Sequence, residues 1–151
     1  MMATNSEKES AVCSSAEIFN DTVVASAIAA AFDLGLFDEI RMHGDVAVQE
    51  LCESNDLHYD SIRAIFIAMQ TKKIVKFDPV QDQVSADDLF QQVYRDKGYF
   101  AWLLGGYGAM LQNLSEMARN KNRKQDSPNR CGQRIASAGR DYGAQFVDRY
   151  F

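Results

Sequence analysis

The sequence predicts a mainly α-helical protein, a helical bundle that carries one winged-helix unit with a short two-stranded β wing. Two observations predict this class. Apolar residues recur at helical spacing over most of the chain, and residues 46–85 change from that spacing to two short strand-like runs separated by a turn. The chain has 151 residues, of which 46% are hydrophobic, so it can bury one compact core. This composition excludes a fully disordered chain.

The first helix is predicted from the spacing of its apolar residues. The first ten residues are polar and small, and we expect the N-terminus over 1–14 to be disordered. From Ser15 to Leu34, apolar residues and alanines recur every three or four positions, which predicts a helix with an Ala-rich face. Gly35 follows where a residue of positive φ commonly ends a helix. The Ala-rich face predicts close packing, either in the core or at the seam of a dimer.

Residues 46–85 carry the winged-helix pattern. The predicted elements are, in order, helix 46–54, helix 60–71, strand 74–77, turn 78–81 and strand 83–85. The second helix of such a unit commonly enters the major groove of DNA. Here that helix offers Arg63 as its only basic side chain, whereas DNA affinity needs several. A scaffold or dimerisation role is therefore favoured over sequence-specific DNA binding.

Charge is divided unevenly along the chain. Residues 1–60 hold two basic and twelve acidic side chains, and residues 119–151 hold eight basic and three acidic ones, within a net charge of −5. An acidic half repels phosphate, so we expect no nucleic-acid partner. The basic segment suits an acidic face of the same chain, a partner subunit or an anionic ligand, and two solvated faces remain the alternative.

The second half is predicted to be helical again after residue 86. Gly98 marks a break, a long apolar helix covers 99–119, and a basic connection over 120–134 contains Gly132 as a helix breaker. The predicted domains are a disordered N-terminus at 1–14, a helical and winged-helix domain at 15–118, and a basic linker and helix at 119–151.

The long helix combines glycines with aromatic residues. Gly105 and Gly106 do not follow a buried strand that ends in an acidic residue, so they do not predict a nucleotide-binding loop. They allow another helix or a ligand to come close. Tyr99, Trp102 and Tyr107 either pack in the core or line a pocket for a flat or apolar small molecule, with their hydroxyl and indole groups as polar tips.

Other chemistries find no support in the residue pattern. The three cysteines and two histidines are too dispersed for a disulfide or a metal site. Neither histidine lies in a context that would position it as a base, so no catalytic residue is assigned. No apolar run approaches the roughly 20 residues that span a bilayer, and the N-terminus lacks the order of a secretory signal. We expect a cytoplasmic protein with no membrane partner.

The order of the motifs resembles a known family. An Ala-rich helix ending in FDLGLFDEI, then VQELCESNDLHYDSIRAIFIAM, KKIVKF and a short wing, resembles the N-terminal region of class I S-adenosylmethionine-dependent methyltransferases of the small-molecule O-methyltransferase type. The closing SAGRDYGAQFVDRYF is similar to the linker before their cofactor-binding domain. The resemblance implies a homodimer through the N-terminal helices, a small-molecule substrate capped by this region, and S-adenosylmethionine as the cofactor of the full-length enzyme.

The resemblance also implies site residues. The implied cofactor-binding residues are Tyr142, Phe146 and Arg134. The implied substrate-binding residues are Tyr99, Trp102 and Tyr107. The tyrosine would hydrogen-bond the methionine end of the cofactor, the phenylalanine would pack on it, and the arginine, or Arg140 in its place, would pair with a carboxylate or remain a solvated surface residue.

One departure from the family bears on activity. Family members continue into a strand ending in an acidic residue and a glycine-rich loop, and no such sequence follows here. Taken as complete, the 151 residues are expected to lack the Rossmann-like domain and to be inactive alone. The implied chemistry of the whole enzyme is nucleophilic attack on the sulfonium methyl carbon. The alternative function is a winged-helix transcriptional regulator or protein-interaction module.

Overall fold

A computed structural model describes residues 14–120 and 130–146, except for the side chains of Gln145 and Phe146. The predictions for residues 1–13, for most of the basic connection and for 147–151 lie outside the described residues. The described helices are α1 (Ser15–Asp33), α2 (Leu36–His43), α3 (Val48–Ser54), α4 (Tyr59–Gln70), α5 (Phe90–Arg95), α6 (Lys97–Phe100), a π-helical segment (Ala101–Gly106), α7 (Tyr107–Gln112), α8 (Leu114–Met117) and α9 (Gly132–Phe146). The described strands are β1 (Val46–Ala47), β2 (Val75–Asp78) and β3 (Gln83–Ala86). The predicted mainly helical class is confirmed.

Helix α1 begins and ends where its local sequence requires. Ser14 Oγ accepts the backbone N–H of Glu17 over 3.2 Å, and the Glu17 carboxylate accepts the N–H of Ser14 over 2.6 Å. This capping box satisfies two amides that the first turn leaves without helical partners. Gly35 has a φ of 73°, which confirms the predicted termination by a left-handed residue. Leu36 and Phe37 then enter the core as the first turn of α2.

The helix, turn, helix and two-strand order predicted over 46–85 is present, with one addition. The strands form an antiparallel sheet in the order β1-β3-β2, so the two-stranded prediction is wrong in strand number. Val46 pairs with Val84, and the helix predicted from residue 46 begins at Val48 instead. A two-residue strand is too short to show an alternating pattern, and only its pairing with a distant strand defines it.

The turn between β2 and β3 joins the sheet to α3. The Asp78 carboxylate accepts the N–H groups of Val80 and Gln81 over 2.8 and 3.0 Å, which closes an Asx turn. Asp82, with a φ of 54°, then accepts the N–H of Val48 at its carbonyl and that of Gln49 at its carboxylate, both over 2.9 Å. Its side chain thereby supplies the N-terminal cap that Ala47 cannot provide.

The apolar core lies between the sheet and helices α1 to α5. Phe37, Phe66 and Phe90 are fully buried there. Phe32 stacks on Phe37 with ring centroids 4.0 Å apart, and the ring of Phe90 lies 5.2 Å from that of Phe37. The apolar core comprises the buried residues Val24, Ala27, Ile28, Ala31, Leu36, Phe37, Ile40, Val46, Val48, Leu51, Cys52, Ile62, Phe66, Met69, Ile74, Val75, Phe77, Val84 and Phe90.

The single helix predicted over 99–119 is wrong. The chain passes from α6 through the π-helical segment into α7, and Asn113 then separates α7 from α8. Gly98 does not break a helix, because it lies within α6, and Gly132 is the first residue of α9. The assignment of Gly98 fails because packing against α9 accounts for the glycine at this position. A Cβ at Gly98 would lie 3.3 Å from the carbonyl oxygen of Ala138 in α9.

Candidate functional site

An open groove lies between α9 and the stretch formed by α6 and the π-helical segment. We call it the aromatic groove; its volume is about 360 Å³. It is lined by Gly98, Tyr99, Trp102, Ala138, Gly139 and Tyr142. A volume of this size and a mainly apolar lining are typical of small-molecule sites. The groove is therefore the candidate functional site of the described residues.

Small residues allow the two walls to approach each other. Gly98 and Ala138 are both buried at the contact between α6 and α9. A Cβ at Gly98 would press on the carbonyl oxygen of Ala138, 3.3 Å away, and would lie in van der Waals contact with the amide nitrogen of Tyr142, 3.5 Å away. The floor of the groove is thus made of backbone and methyl groups, and its sides are aromatic rings.

The aromatic side chains remain about half exposed. Tyr99 is 47% exposed, Trp102 46% and Tyr142 43%. The rings of Tyr99 and Tyr142 meet edge to face, 5.6 Å apart and inclined at 62°, across the two walls. Exposed ring faces combined with hydroxyl and indole N–H groups suit a flat apolar molecule that carries a few polar atoms.

The Tyr99 phenol is a neutral hydrogen-bonding group. Its pKa is raised, first by removal of solvent and then by the neighbouring Tyr142 and Asp96. A phenol with a raised pKa stays protonated at neutral pH. Tyr99 is therefore held in its neutral form, partly through a hydrogen bond with Tyr142, and it is not poised to act as a phenolate base.

The structure brings together some of the residues implied by the family resemblance. Tyr99 and Trp102, expected at the substrate, share the groove with Tyr142, expected at the cofactor. Tyr107 is not a lining residue, and its ring packs edge-on against Trp102 with centroids 5.0 Å apart. The side chain of Phe146 is outside the described residues.

The two candidate arginines of α9 have partners elsewhere. Arg134 Nη1 donates to Asp33 Oδ2 over 2.8 Å, at the end of α1. Asp33 raises the pKa of the Arg134 guanidinium, chiefly through this hydrogen bond. Arg140 Nη2 donates to Ser137 Oγ over 3.4 Å within α9. Neither arginine is a lining residue of the aromatic groove.

Sequence reasoning missed three lining residues, Gly98, Ala138 and Gly139. The available signal was the spacing in α9, because Ala138 and Gly139 lie four and three positions before Tyr142 and so share its face. Gly98 gave a misleading signal, since a glycine between two helical stretches resembles a helix terminus.

The surface around α4 offers few unpaired basic groups. The Arg63 guanidinium lies over the rings of Tyr59 and Phe77, at 5.4 and 5.8 Å, and its buried Nε has no hydrogen-bond partner among the described residues. The neighbouring lysines pair with carboxylates. These pairs are Lys72 with Asp21 at 2.6 Å, Lys76 with Asp87 at 3.7 Å and Lys73 with Asp88 at 3.9 Å. Part of the surface of α4 is also covered, because helix α1 packs against it.

Helix α1 is apolar on two sides. Val24, Ala27, Ile28 and Ala31 are buried in the apolar core. Near the N-terminal end, Ile18, Phe19 and Val23 are 60%, 69% and 45% exposed. Large apolar residues on an exposed helix face commonly mark a surface for another protein.

Two other kinds of site do not appear among residues 14–120 and 130–146. These residues contain no group of three or more metal-ligating side chains. No helix in this part of the chain has the length and apolarity needed to cross a membrane.

Comparison with known proteins supports a methyltransferase relationship. The chain is 32% identical over 136 residues to methyltransferase ungE' of Aspergillus campestris, a match that covers 90% of the chain. The chain spans about two fifths of that protein, since the match covers 39% of its length. No protein-family model matches the sequence. The similarity agrees with the relationship that the motifs indicate.

Proposed function

We propose that this chain is the dimerisation and substrate-capping part of an S-adenosylmethionine-dependent methyltransferase that acts on a small molecule. The similarity to a methyltransferase over 90% of the chain carries the proposal. The helix, turn, helix and three-strand arrangement of α3, α4 and the sheet supports a winged-helix assignment of the same region. We assign the aromatic groove to the methyl acceptor.

The groove residues do not fit S-adenosylmethionine by themselves. A class I site holds the ribose hydroxyls with an acidic side chain and the methionine end beside a glycine-rich loop that follows a strand. The six lining residues include no carboxylate, and the sheet of the described residues is antiparallel. We therefore propose that the cofactor is held mainly by other parts of the full enzyme and that these 151 residues do not transfer methyl groups alone.

Ligand-observed NMR with 2-naphthol as a flat phenolic probe tests the groove. We expect saturable binding, weakened about three- to tenfold by Tyr142→Ala because one aromatic contact is lost. Ile67→Ala is the matched control, since Ile67 is exposed on α4 and is not a lining residue of the groove. Equal binding by both variants, or none by the unaltered protein, would contradict the assignment. Saturable binding of S-adenosylmethionine by the chain would contradict the proposal that other parts of the full enzyme hold the cofactor.

Dimerisation is proposed through the exposed apolar face of α1, which contains Ile18, Phe19 and Val23. Phe19→Glu places a charge on this face, and we expect it to shift sedimentation from dimer to monomer. Met42→Glu changes an equally exposed apolar residue, 67% exposed, at another place and serves as control. A monomer at all concentrations, or dissociation by both substitutions, would refute the proposed interface.

We further propose that the chain does not bind duplex DNA as a regulator would. The support is the internal stacking of Arg63 and the carboxylate partners of the three nearby lysines. Groove-binding proteins need free cations, and their affinity falls steeply with salt. Salt-dependent binding to a mixed-sequence duplex would favour the regulator instead.

A further inference from the structure

Helix α9 packs on the outside of a core that is complete without it. Among its described side chains, at positions 132–144, only that of Ala138 is buried. Every residue of the apolar core lies at or before Phe90. An element that buries little apolar surface opens at low free-energy cost. Helix α9 therefore contributes no residue to the apolar core, and its docking and the folding of the core are separable in principle.

Two neighbouring glycines of the π-helical segment, which we call the glycine socket, receive the first turn of α9. A Cβ at Gly106 would lie 2.6 Å from Cγ1 of Ile135, and a Cβ at Gly105 would lie 3.0 Å from Nη1 of Arg134. The N–H of Cys131 donates to the carbonyl oxygen of Gly106 over 3.0 Å. Because the Gly106 distance is shorter than real Cβ contacts, only glycine permits this approach.

An ion pair holds the same end of α9 to the end of α1. Arg134 and Asp33 are joined over 2.8 Å across 101 positions of sequence. Their side chains are 49% and 55% exposed. The attraction between such exposed charges is modest and is screened by salt.

We infer that the glycine socket and the Asp33–Arg134 ion pair form a docking device that controls whether the aromatic groove exists. One wall of the groove lies on α6 and the π-helical segment, and the other lies on α9. Undocking of α9 separates Tyr142 from Tyr99 and removes the site. A ligand then binds only the docked form, so its apparent dissociation constant rises as the docked fraction falls. Arg134 is a positioning residue on this account, since it orients α9 and does not touch the ligand.

The single tryptophan makes docking measurable without any ligand. Trp102 is a lining residue of the groove. Acrylamide quenching of its fluorescence measures how exposed the indole is. Acrylamide is neutral, so substitutions that change the charge of the protein do not attract or repel it. Gly106→Ala displaces Ile135, so we expect the quenching constant to rise roughly twofold as the half-covered indole becomes exposed. Gly108→Ala is the matched control, because a Cβ there meets nothing within 4 Å. Equal quenching constants in these two variants would overturn the proposal that docking of α9 requires glycine at position 106.

Amide hydrogen exchange tests the ion pair, because it detects small populations of undocked α9. Arg134→Gln should speed exchange in α9 by up to about fivefold and should abolish its dependence on salt. The exchanged pair, Asp33→Arg with Arg134→Asp, should restore slow exchange. Lys72→Gln removes a different surface pair of α1 and should leave α9 unchanged. Exchange in α9 that is independent of salt in the unaltered protein would overturn the role of the pair.

The same exchange data separate undocking from misfolding. Gly106→Ala should speed exchange in α9 and leave that of α4 unchanged, whereas acceleration in both helices would overturn the independence of α9 from the core. These measurements use the protein without ligand. Their outcome is therefore independent of whether the groove binds a methyl acceptor.

Discussion

The apolar core and the aromatic groove use aromatic residues in opposite ways. In the core, the rings of Phe37, Phe66 and Phe90 are fully buried and have no polar atoms. In the groove, Tyr99 and Trp102 are about half exposed and carry hydroxyl and indole N–H groups. Complete burial of a ring contributes stability, whereas a half-exposed ring with a polar tip leaves a face for a ligand. The first region supports the fold, and the second is available for binding.

The largest expected contrast is in stability. Phe66→Ala should lower the free energy of unfolding by about 3–5 kcal/mol, because it removes a fully buried ring and leaves a cavity. Ile67→Ala, at the exposed next position of α4, should change it by no more than about 1 kcal/mol. Urea denaturation followed by circular dichroism measures both. Similar losses in the two variants would mean that α4 does not direct Phe66 into the core and Ile67 towards solvent.

Cysteine reactivity should separate the two regions almost as strongly. Cys131, which immediately precedes α9, is exposed, whereas Cys52 in α3 is 3% exposed. The measurement uses the variant Cys13→Ser, so that only these two thiols can react. The pKa of the Cys52 thiol is raised, first by burial and then by the charges of Asp82 and Glu53. Because its reaction requires opening of the core, Cys52 should react with an aromatic disulfide reagent on the order of a thousandfold more slowly. The two thiols should react at comparable rates only in urea. Comparable rates of Cys52 and Cys131 in the native protein would refute a closed core.

A smaller effect is expected at the cap that joins the sheet to α3. Asp82→Ala removes the acceptor of the Gln49 amide and of the Tyr59 hydroxyl, 2.5 Å away, and places alanine at a φ of 54°, so the lost bonds and the backbone strain together should cost about 1–2 kcal/mol. Asp88→Ala provides a control, because its carboxylate is 73% exposed and contacts Lys73 only at 3.9 Å. Unfolding free energies that fall equally in both variants would show that Asp82 contributes nothing specific at this position.

The smallest effect should appear only in alkaline solution. The pKa of Tyr59 is raised, chiefly by its hydrogen bond to Asp82, then by burial and by the Asp82 charge. A raised native pKa means that the protonated phenol stabilises the fold at pH below its ordinary value of about 10, and that this contribution is lost as pH rises through the native pKa. Tyr59→Phe should flatten the alkaline fall in core stability.

Tyr99→Phe is the matched variant in the groove. The pKa of Tyr99 is also raised, by burial first, so alkaline pH disfavours its native environment as well. Since Tyr99 lies outside the apolar core, we expect this loss to appear in the exchange of α9 and not in the urea midpoint of the core. A core midpoint that responds equally to both substitutions would contradict the separation of the two regions.

The first half of the chain was more predictable than the second because local signals mark where most of its elements begin and end. The predicted bounds are correct to within one or two residues for helix α1, helix α4 and the strand pair β2–β3. The positive φ predicted at Gly35 is also present. Apolar spacing and turn residues carry that information along the chain. Strand β1 was missed because only pairing between Val46 and Val84 defines it.

In the second half, the neighbours of the predicted residues come from segments far apart in sequence. Tyr99, Trp102 and Tyr142 do lie together. Arg134, expected at a cofactor carboxylate, pairs with Asp33. Gly98, expected at a break, lies inside a helix where α9 approaches. Each of these outcomes depends on a contact between segments far apart in sequence.

The sequence by itself determined the mainly helical class, the bounds of α1, α4 and the strand pair β2–β3, and the relationship to methyltransferases, because spacing, capping residues and identity along the chain are local properties. The tertiary structure alone decided which aromatic residues line a groove and which glycines permit a close approach. It also decided which charges are paired. Those properties depend on where α9 packs against α6 and the π-helical segment, and the periodicity of either segment does not specify that contact.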